Sequence, residues 1–209
     1  MIRVFIADDH AIVRRGLRDV IGAAEDMTVT GEAADGRAVL DAIAEPNFDV
    51  LVLDLSLPRV NGTEVLRRMK IDRPQLPVVI LSMYPEDQYA LRLLKEGAAA
   101  YLSKDRPPDE LLLAIREVSA GRRYVTQEVA NLALEARANG ERAPHETLSA
   151  REYQVFTLLY QGQSVSDIAA ELDLTSGTVS NHVAAIRTKL SVRTIADIVR
   201  YAVRAGLFD

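Results

Sequence analysis

No cysteine occurs in the 209 residues, which excludes both a disulfide framework and a thiolate-bound metal and suits a reducing cytosol. Long apolar runs are missing too. None approaches the roughly 20 residues that a membrane-spanning helix needs, so no membrane insertion is expected. A secretion signal is not evident: MIRVFIADDH places acids where an apolar core should continue, and no small-residue cleavage site follows. Internal repeats and low-complexity tracts are absent. Excess positive charge is also lacking, and a net charge of −5 argues against indiscriminate coating of nucleic acid. What remains is a soluble, cytoplasmic globular chain, long for one domain and comfortable for two.

The charge is unevenly spread. Residues 178–209 carry Arg187, Lys189, Arg193, Arg200 and Arg204 against Asp197 and Asp209, a net of +3 that leaves −8 for the rest. Such asymmetry permits a compact nucleic-acid surface at one end. Two periodicities alternate in the first half. Short apolar runs at Arg3–Ala7, Met27–Glu32, Val50–Leu53, Val78–Leu81 and Ala99–Leu102 read as strands. The first four are rich in Val, Ile or Leu without alternation, as parallel strands covered on both faces should be; the fifth is alanine-rich. Amphipathic stretches at about 11–24, 36–45, 62–72, 86–96 and 108–120 read as helices. Pro107, Pro108, Asp109 and Glu110 suit a helix start, and Gly121 a helix end. Five strands alternating with five helices predict a doubly wound α/β domain over 1–121 with a five-stranded parallel sheet.

Residues 122–145 read as a linker with one alanine-rich helix near 126–138. Residues 146–209 contain nothing strand-like. Ser149 and Glu152 form a capping box that opens a helix to about 161, where Gly162 breaks it. Helical segments at 164–172 and 177–190 flank the short DLTS turn, and a last helix covers about 194–205. The apolar faces are Val155, Leu158 and Leu159; Ile168, Ala169 and Leu172; and Val179, Val183 and Ile186, with Leu174 in the turn. An all-α helix-turn-helix domain is expected.

Ligands of doubly wound sheets sit outside the C-terminal ends of the strands. There the sequence places Asp8 and Asp9 after the first strand, Asp54 after the third, Ser82 at the end of the fourth and Lys104 after the fifth. Three converging carboxylates repel one another unless a cation joins them. Oxygen donors without His or Cys favour a hard ion such as Mg²⁺. A hydroxyl, a fixed positive charge and a carboxylate nucleophile together suit a phosphoryl group.

ADDH at 7–10, LDLSLPRVNG at 53–62, ILS at 80–82 and YLSK at 101–104 resemble the marks of bacterial receiver domains, over roughly residues 1–120. The resemblance implies a flavodoxin-like fold in which Asp54 accepts a phosphoryl group from a sensor histidine kinase. It implies that Asp8, Asp9, Asp54 and the backbone carbonyl of Ser56 hold Mg²⁺. Lys104 and Ser82 would bind the phosphoryl oxygens, and Tyr101 would be the aromatic switch that turns inward with Ser82. One departure is Asp105, where many receivers carry proline directly after the lysine.

Near the start of the second helix of the helix-turn-helix lie Thr178, Ser180, Asn181 and His182, with Arg187 and Lys189 further on. Hydroxyl, amide and imidazole groups can reach phosphates or base edges, and the two cations attract phosphate. LSARE at 148–152 and GQSVSDIAAELDLTSGTVSNHVAAIRTKLSV at 162–192 resemble the LuxR-type helix-turn-helix that ends NarL/FixJ-type response regulators. By that resemblance Thr178, Ser180, Asn181 and His182 face DNA and Lys189 lies near its backbone. Many members carry basic residues where Ser180, Ala184 and Ile195 stand, so the sequence-independent attraction here is expected to be weak.

The whole predicts a two-component transcription regulator in which phosphorylation of Asp54 controls dimerisation and DNA binding. Expected partners are a cognate sensor histidine kinase, double-stranded promoter DNA and a second copy of the chain, with RNA polymerase a further candidate. Enzyme activity beyond the chain's own phosphoryl transfer and dephosphorylation is not expected. Three rivals stand beside this reading. One is a regulator that keeps the pocket but ignores phosphorylation. Another is a protein-docking output in place of DNA binding. The third is a phosphatase of the haloacid-dehalogenase type, which needs a general acid where this chain has Ser56.

Overall fold

The apolar runs of the first half all become strands of one sheet. In a computed structural model that describes residues 1–44, 46–138, 143–205 and 207, β1 spans Ile2–Ala7, β2 Met27–Ala33, β3 Val50–Leu53, β4 Val78–Ser82 and β5 Ala100–Ser103. Their order is β2-β1-β3-β4-β5 and every pairing is parallel. The alanine-rich fifth run is a strand because β4 supplies its ladder, Val79 opposite Ala100 through Ser82 opposite Ser103.

Each strand is followed by a helix: α1 Ala11–Gly22, α2 Gly36–Ala44, α3 Gly62–Asp72, α4 Glu86–Lys95 and α5 Pro108–Ser119. Alternate residues Val4, Ile6, Val50, Val52, Val79, Leu81, Ala100 and Leu102 pack with Ile21 of α1 and Leu111, Ala114, Ile115 and Val118 of α5. The residues between them, including Leu51, Leu53, Ile80 and Tyr101, are equally buried and point to the opposite face. β3 lies in the middle and all four of its residues are buried, which makes its C-terminal end a rigid place for a reactive group.

The chain divides into two compact units, Met1–Glu135 and Ala136–Asp209. The first therefore runs past α5. Tyr124 makes a parallel bridge to Ala100 on the open edge of β5, and α6, Gln127–Ala138, begins just beyond it with Val129 buried.

In the second unit a 3₁₀ turn at Pro144–Thr147 leads into α7 (Ala150–Tyr160), α8 (Val165–Glu171), α9 (Ser176–Lys189) and α10 (Ile195–Arg204). Capping boxes open α7 through Ser149 and Glu152, α8 through Ser164 and Asp167, and α10 through Thr194 and Asp197. The apolar faces expected of α7, α8 and α9 form its core, with every one of those nine side chains buried.

Candidate functional site

The sheet places the acids. Asp8 and Asp54 continue the ladder by one residue: Asp54 N donates to Ala7 O at 2.8 Å and Asp8 N to Ala33 O at 3.1 Å. Both carboxylates are buried, while Asp9 is exposed. The loop after Asp54 must then fold back on itself. Arg59 takes a left-handed φ of 65°, Asn61 caps α3 by accepting from Glu64 N, and Gly62 N donates to Leu55 O at 2.9 Å. A Cβ on Gly62 would stand 2.1 Å from the carbonyl oxygen of Asp54, so only glycine allows this return.

Lys104 bridges the two buried acids, with Nζ 2.6 Å from Asp54 Oδ2 and 2.6 Å from Asp8 Oδ2. Its amide donates to Ser82 O at 2.8 Å. Asp54 Oδ1 accepts from Ser56 N at 3.3 Å. One lysine cannot neutralise two carboxylates. Burial pushes the Asp54 carboxyl above the ordinary range; Lys104 opposes this and the neighbouring Asp8 adds to it. Burial would lower Lys104, but its bonds to Asp54 and Asp8 outweigh burial and hold it above its ordinary value. The lysine stays charged, and the surplus negative charge falls on the carboxylates.

Asp8, Asp9, His10 and Asp54 each offer a ligand atom, all within 4.8 Å of one another. Three carboxylates with a net negative surplus suit a hard divalent cation. His10, which carries no assigned role in the sequence reading, lies 2.6 Å from Asp9 Oδ1 through Nδ1 and donates its amide to Asp8 Oδ1 at 2.8 Å. Arg14 holds the same loop by donating to the carbonyls of Asp8 and Asp9 at 2.7 and 3.1 Å. The adjacency of ADDH was the available signal for His10; Arg14 needs the turn of α1 to be seen.

Ser82 is fully buried and accepts from Tyr84 N at 3.3 Å. Tyr101 points inward, 1% exposed, and its hydroxyl donates to Tyr84 O at 2.8 Å. Burial keeps this phenol neutral, well above the ordinary tyrosine value. Asp105, in place of the family's proline, lets its amide donate to Ser103 Oγ at 3.3 Å inside a tight turn closed by Arg106 N to Ser103 O at 3.1 Å. Beside Lys104 an apolar cleft opens between α1 and α5, lined by Val13, Leu17, Leu81, Met83, Leu102 and Pro108.

All six residues expected to meet DNA lie on α9, but they do not share one strip. At 3.6 residues per turn, Asn181 faces away from the buried Val179, Val183 and Ile186, with Ser180 and Arg187 on one flank and Thr178, His182 and Lys189 on the other. The first flank and Asn181 are exposed. On the second, Thr178 and His182 are partly buried, while Lys189 is exposed but reaches back to α7. Lys189 Nζ is 2.5 Å from Glu152 Oε2 and 3.4 Å from Thr147 O, and Thr178 Oγ1 is 2.9 Å from Thr175 Oγ1. His182 is half-buried, and burial with the nearby Arg151 depresses its pKa. Burial would raise Glu152, but Lys189 and the Ser149 donors hold it below the ordinary range.

Two family models match: the response regulator receiver domain over residues 4–116, and the bacterial regulatory proteins of the luxR family over 146–202. The chain is a response regulator. Among similar proteins are the oxygen regulatory protein NreC of Staphylococcus haemolyticus, 33% identical over 99% of both chains. The response regulator UvrY of Escherichia coli is 30% identical, over 99% of this chain and 96% of its own. RcsB of Salmonella enterica serovar Typhimurium, solved on the rprA promoter with the phosphomimetic BeF3-, is 26% identical. It matches this response regulator over 96% of the chain, and over 98% of its own, with a TM-score of 0.66. The receiver-type sheet, the helical C-terminal domain and the role in transcription regulation thus agree with the reading of the sequence.

Proposed function

We propose that Asp54 of this response regulator accepts a phosphoryl group from a cognate sensor histidine kinase, and that phosphorylation controls dimerisation and binding to double-stranded promoter DNA. The observation that carries this is the Lys104 bridge between Asp54 and Asp8 at the end of the central strand, 2.6 Å to each. An Asp54 carboxylate oxygen attacks phosphorus as the bond to the donor nitrogen breaks, giving an acyl phosphate. Lys104 is already in place to pair with the arriving oxygens, and the Ser82 hydroxyl can rotate to donate to them. Asp8, Asp9, Asp54 and the Ser56 carbonyl would hold Mg²⁺, which would supply further neutralisation of negative charge in the pocket. Tyr101 follows Ser82 as the switch. The chemistry ends on the chain's own aspartate, so no external substrate is turned over apart from the donor, and water later removes the group.

The apolar cleft beside Lys104, with the exposed Met83 in its lining and the exposed Ile12 next to Val13, is an apt place for the kinase to approach. On α9 we assign Ser180, Asn181 and Arg187 to direct contact with DNA. Thr178, His182 and Lys189 are assigned to the same DNA interface from its other flank, where Lys189 also pairs with Glu152 of α7. The working division is a receiver at 1–121, a linker at 122–145 and the DNA-binding domain at 146–209, acting in the cytoplasm, with RNA polymerase as a downstream partner. RcsB on promoter DNA with a phosphomimetic supports the linkage of pocket and DNA.

The test is intact mass after incubation with a small phosphodonor, for wild type and Asp54→Asn, with and without Mg²⁺. One added phosphoryl group that requires both Asp54 and Mg²⁺ is expected. Addition to the Asn variant would place the acceptor elsewhere.

A further inference from the structure

The lysines of the chain are Lys70, Lys95, Lys104 and Lys189, and their settings differ. Lys104 lies between Asp54 and Asp8, Lys189 pairs with Glu152, and Lys95 is exposed. Lys70, in the last turn of α3, makes no ion pair among the described residues. Its stem is laid across Gly97, which has a φ of 109°. A Cβ there would stand 2.7 Å from Lys70 Cγ and 2.9 Å from Cδ. The side chain is thereby partly buried, and Nζ donates to a neutral acceptor, Leu76 O, at 3.3 Å. The charged group that acts on it is a second cation, Arg123, which is itself exposed. Leu76 precedes β4, so this pair of cations lies at the end of the sheet opposite Asp54.

This setting works against an ammonium. Burial costs the charged form its hydration and Arg123 repels it, and together they hold the Lys70 amine below its ordinary value. The C-terminal dipole of α3 pulls the other way, but weakly at a surface position. Lys104 is the contrast, since its two carboxylates hold it above the ordinary value. A lysine that is desolvated beside another cation is a nucleophile rather than a counter-ion. Arg123 has a second use. Its exposed guanidinium is a fork that matches a phosphate and can seat an anionic electrophile beside Nζ.

We propose that Lys70 is an acyl-acceptor site, modified at Nζ by acyl phosphates whose phosphate is seated by Arg123. The neutral amine attacks the carbonyl carbon. A C–N bond forms, the bond from that carbon to the bridging oxygen breaks, and phosphate departs with the electron pair. The proton released from nitrogen passes to the phosphate through water. The product suits the site: the amide keeps one N–H for Leu76 O and no longer carries the charge that Arg123 repels. An acyl phosphate thus offers two electrophilic centres to one chain, phosphorus to Asp54 and the carbonyl carbon to Lys70. The second reaction needs no Mg²⁺.

Incubation of the full chain with acetyl phosphate, with each lysine followed over time by peptide mass mapping, tests it. An acetyl and a phosphoryl group differ in mass, so the two reactions are read separately. Lys70 should be acetylated several-fold faster than the exposed Lys95, at a rate that neither Mg²⁺ nor Asp54→Asn alters. Arg123→Gln, a change at an exposed position, should slow labelling of Lys70 several-fold and leave Lys95 as it was. In concentrated urea, where burial and the neighbouring cation are both lost, the two lysines should react alike. Equal rates at Lys70 and Lys95 in the folded chain would overturn the proposal. So would a Lys70 rate unmoved by Arg123→Gln, or a preference for Lys70 that persists in urea.

Discussion

At the scale of single residues, Asp54 is a charge held in an unfavourable setting. Burial and Asp8 raise its carboxyl above the ordinary range, so ionising it costs stability in the folded state. The sign is set by the raised value: the folded chain binds the proton more tightly than the unfolded one, and stability falls as pH rises through that window. Asp54→Asn removes the surplus charge and keeps an acceptor for Lys104. Without divalent cations at pH 7, it should raise the melting temperature of the first unit by about 4 °C, roughly 1 kcal/mol for a domain of this size, an advantage that vanishes in acid. Adding Mg²⁺ should stabilise wild type more than the variant, since a cation offsets the same repulsion. Differential scanning calorimetry reads both, and a variant less stable than wild type at pH 7 without metal would refute the account. The position of the proposed phosphoacceptor was legible because the run VLVLD ends in an acid at a strand end. Arg14 was not, because its reach to the carbonyls of Asp8 and Asp9 depends on where α1 turns.

Helix α9 shows what an element adds to a list of candidates. Spacing in the sequence puts six polar residues on one helix, but Val179, Val183 and Ile186 fix which way it rolls, and that roll divides the six. Lys189 is held by Glu152, whose carboxylate is also the reciprocal partner in the α7 capping box. Removing Lys189 leaves a mostly buried carboxylate without its cation, a loss of order 1–3 kcal/mol. Lys189→Ala should therefore lower the stability of the second unit and leave the salt dependence of DNA binding nearly unchanged. Arg187→Ala should do the reverse, reducing the slope of log affinity against log salt by about 1. Binding titrations at several salt concentrations, paired with urea melts, separate the two. The element boundaries were largely readable: caps, glycines and prolines mark them locally. The bridge from Tyr124 to Ala100 was not, because a single pairing across a sheet edge leaves no periodic trace.

For the whole molecule, the phosphorylation reading requires that one chemical event at a strand end alter an assembly on DNA. On that reading two copies, each presenting one α9, should read two half-sites separated by about one helical turn of 10 base pairs. With BeF3- and Mg²⁺, sedimentation should show a shift from monomer toward dimer, and a footprint at saturation should cover both half-sites. Asp54→Asn should remain monomeric and protect them only at higher protein concentration. The few cations on the exposed flank of α9 make this pairing matter more. A weak phosphate attraction per copy leaves affinity to depend on two copies binding together.

The bridge at Tyr124 also bears on how the protein can be cut. β5 ends the sheet on one side, and an open parallel edge is a template for pairing with other chains. Tyr124 N donates to Ala99 O at 3.1 Å and occupies part of that template. A receiver fragment that stops at 121 carries every residue of the pocket but leaves the β5 edge bare, and it invites self-association unrelated to signalling. Fragments that extend through 135 keep the edge shielded, so the choice of terminus decides whether a dimer seen in such a fragment speaks of regulation or of an exposed strand.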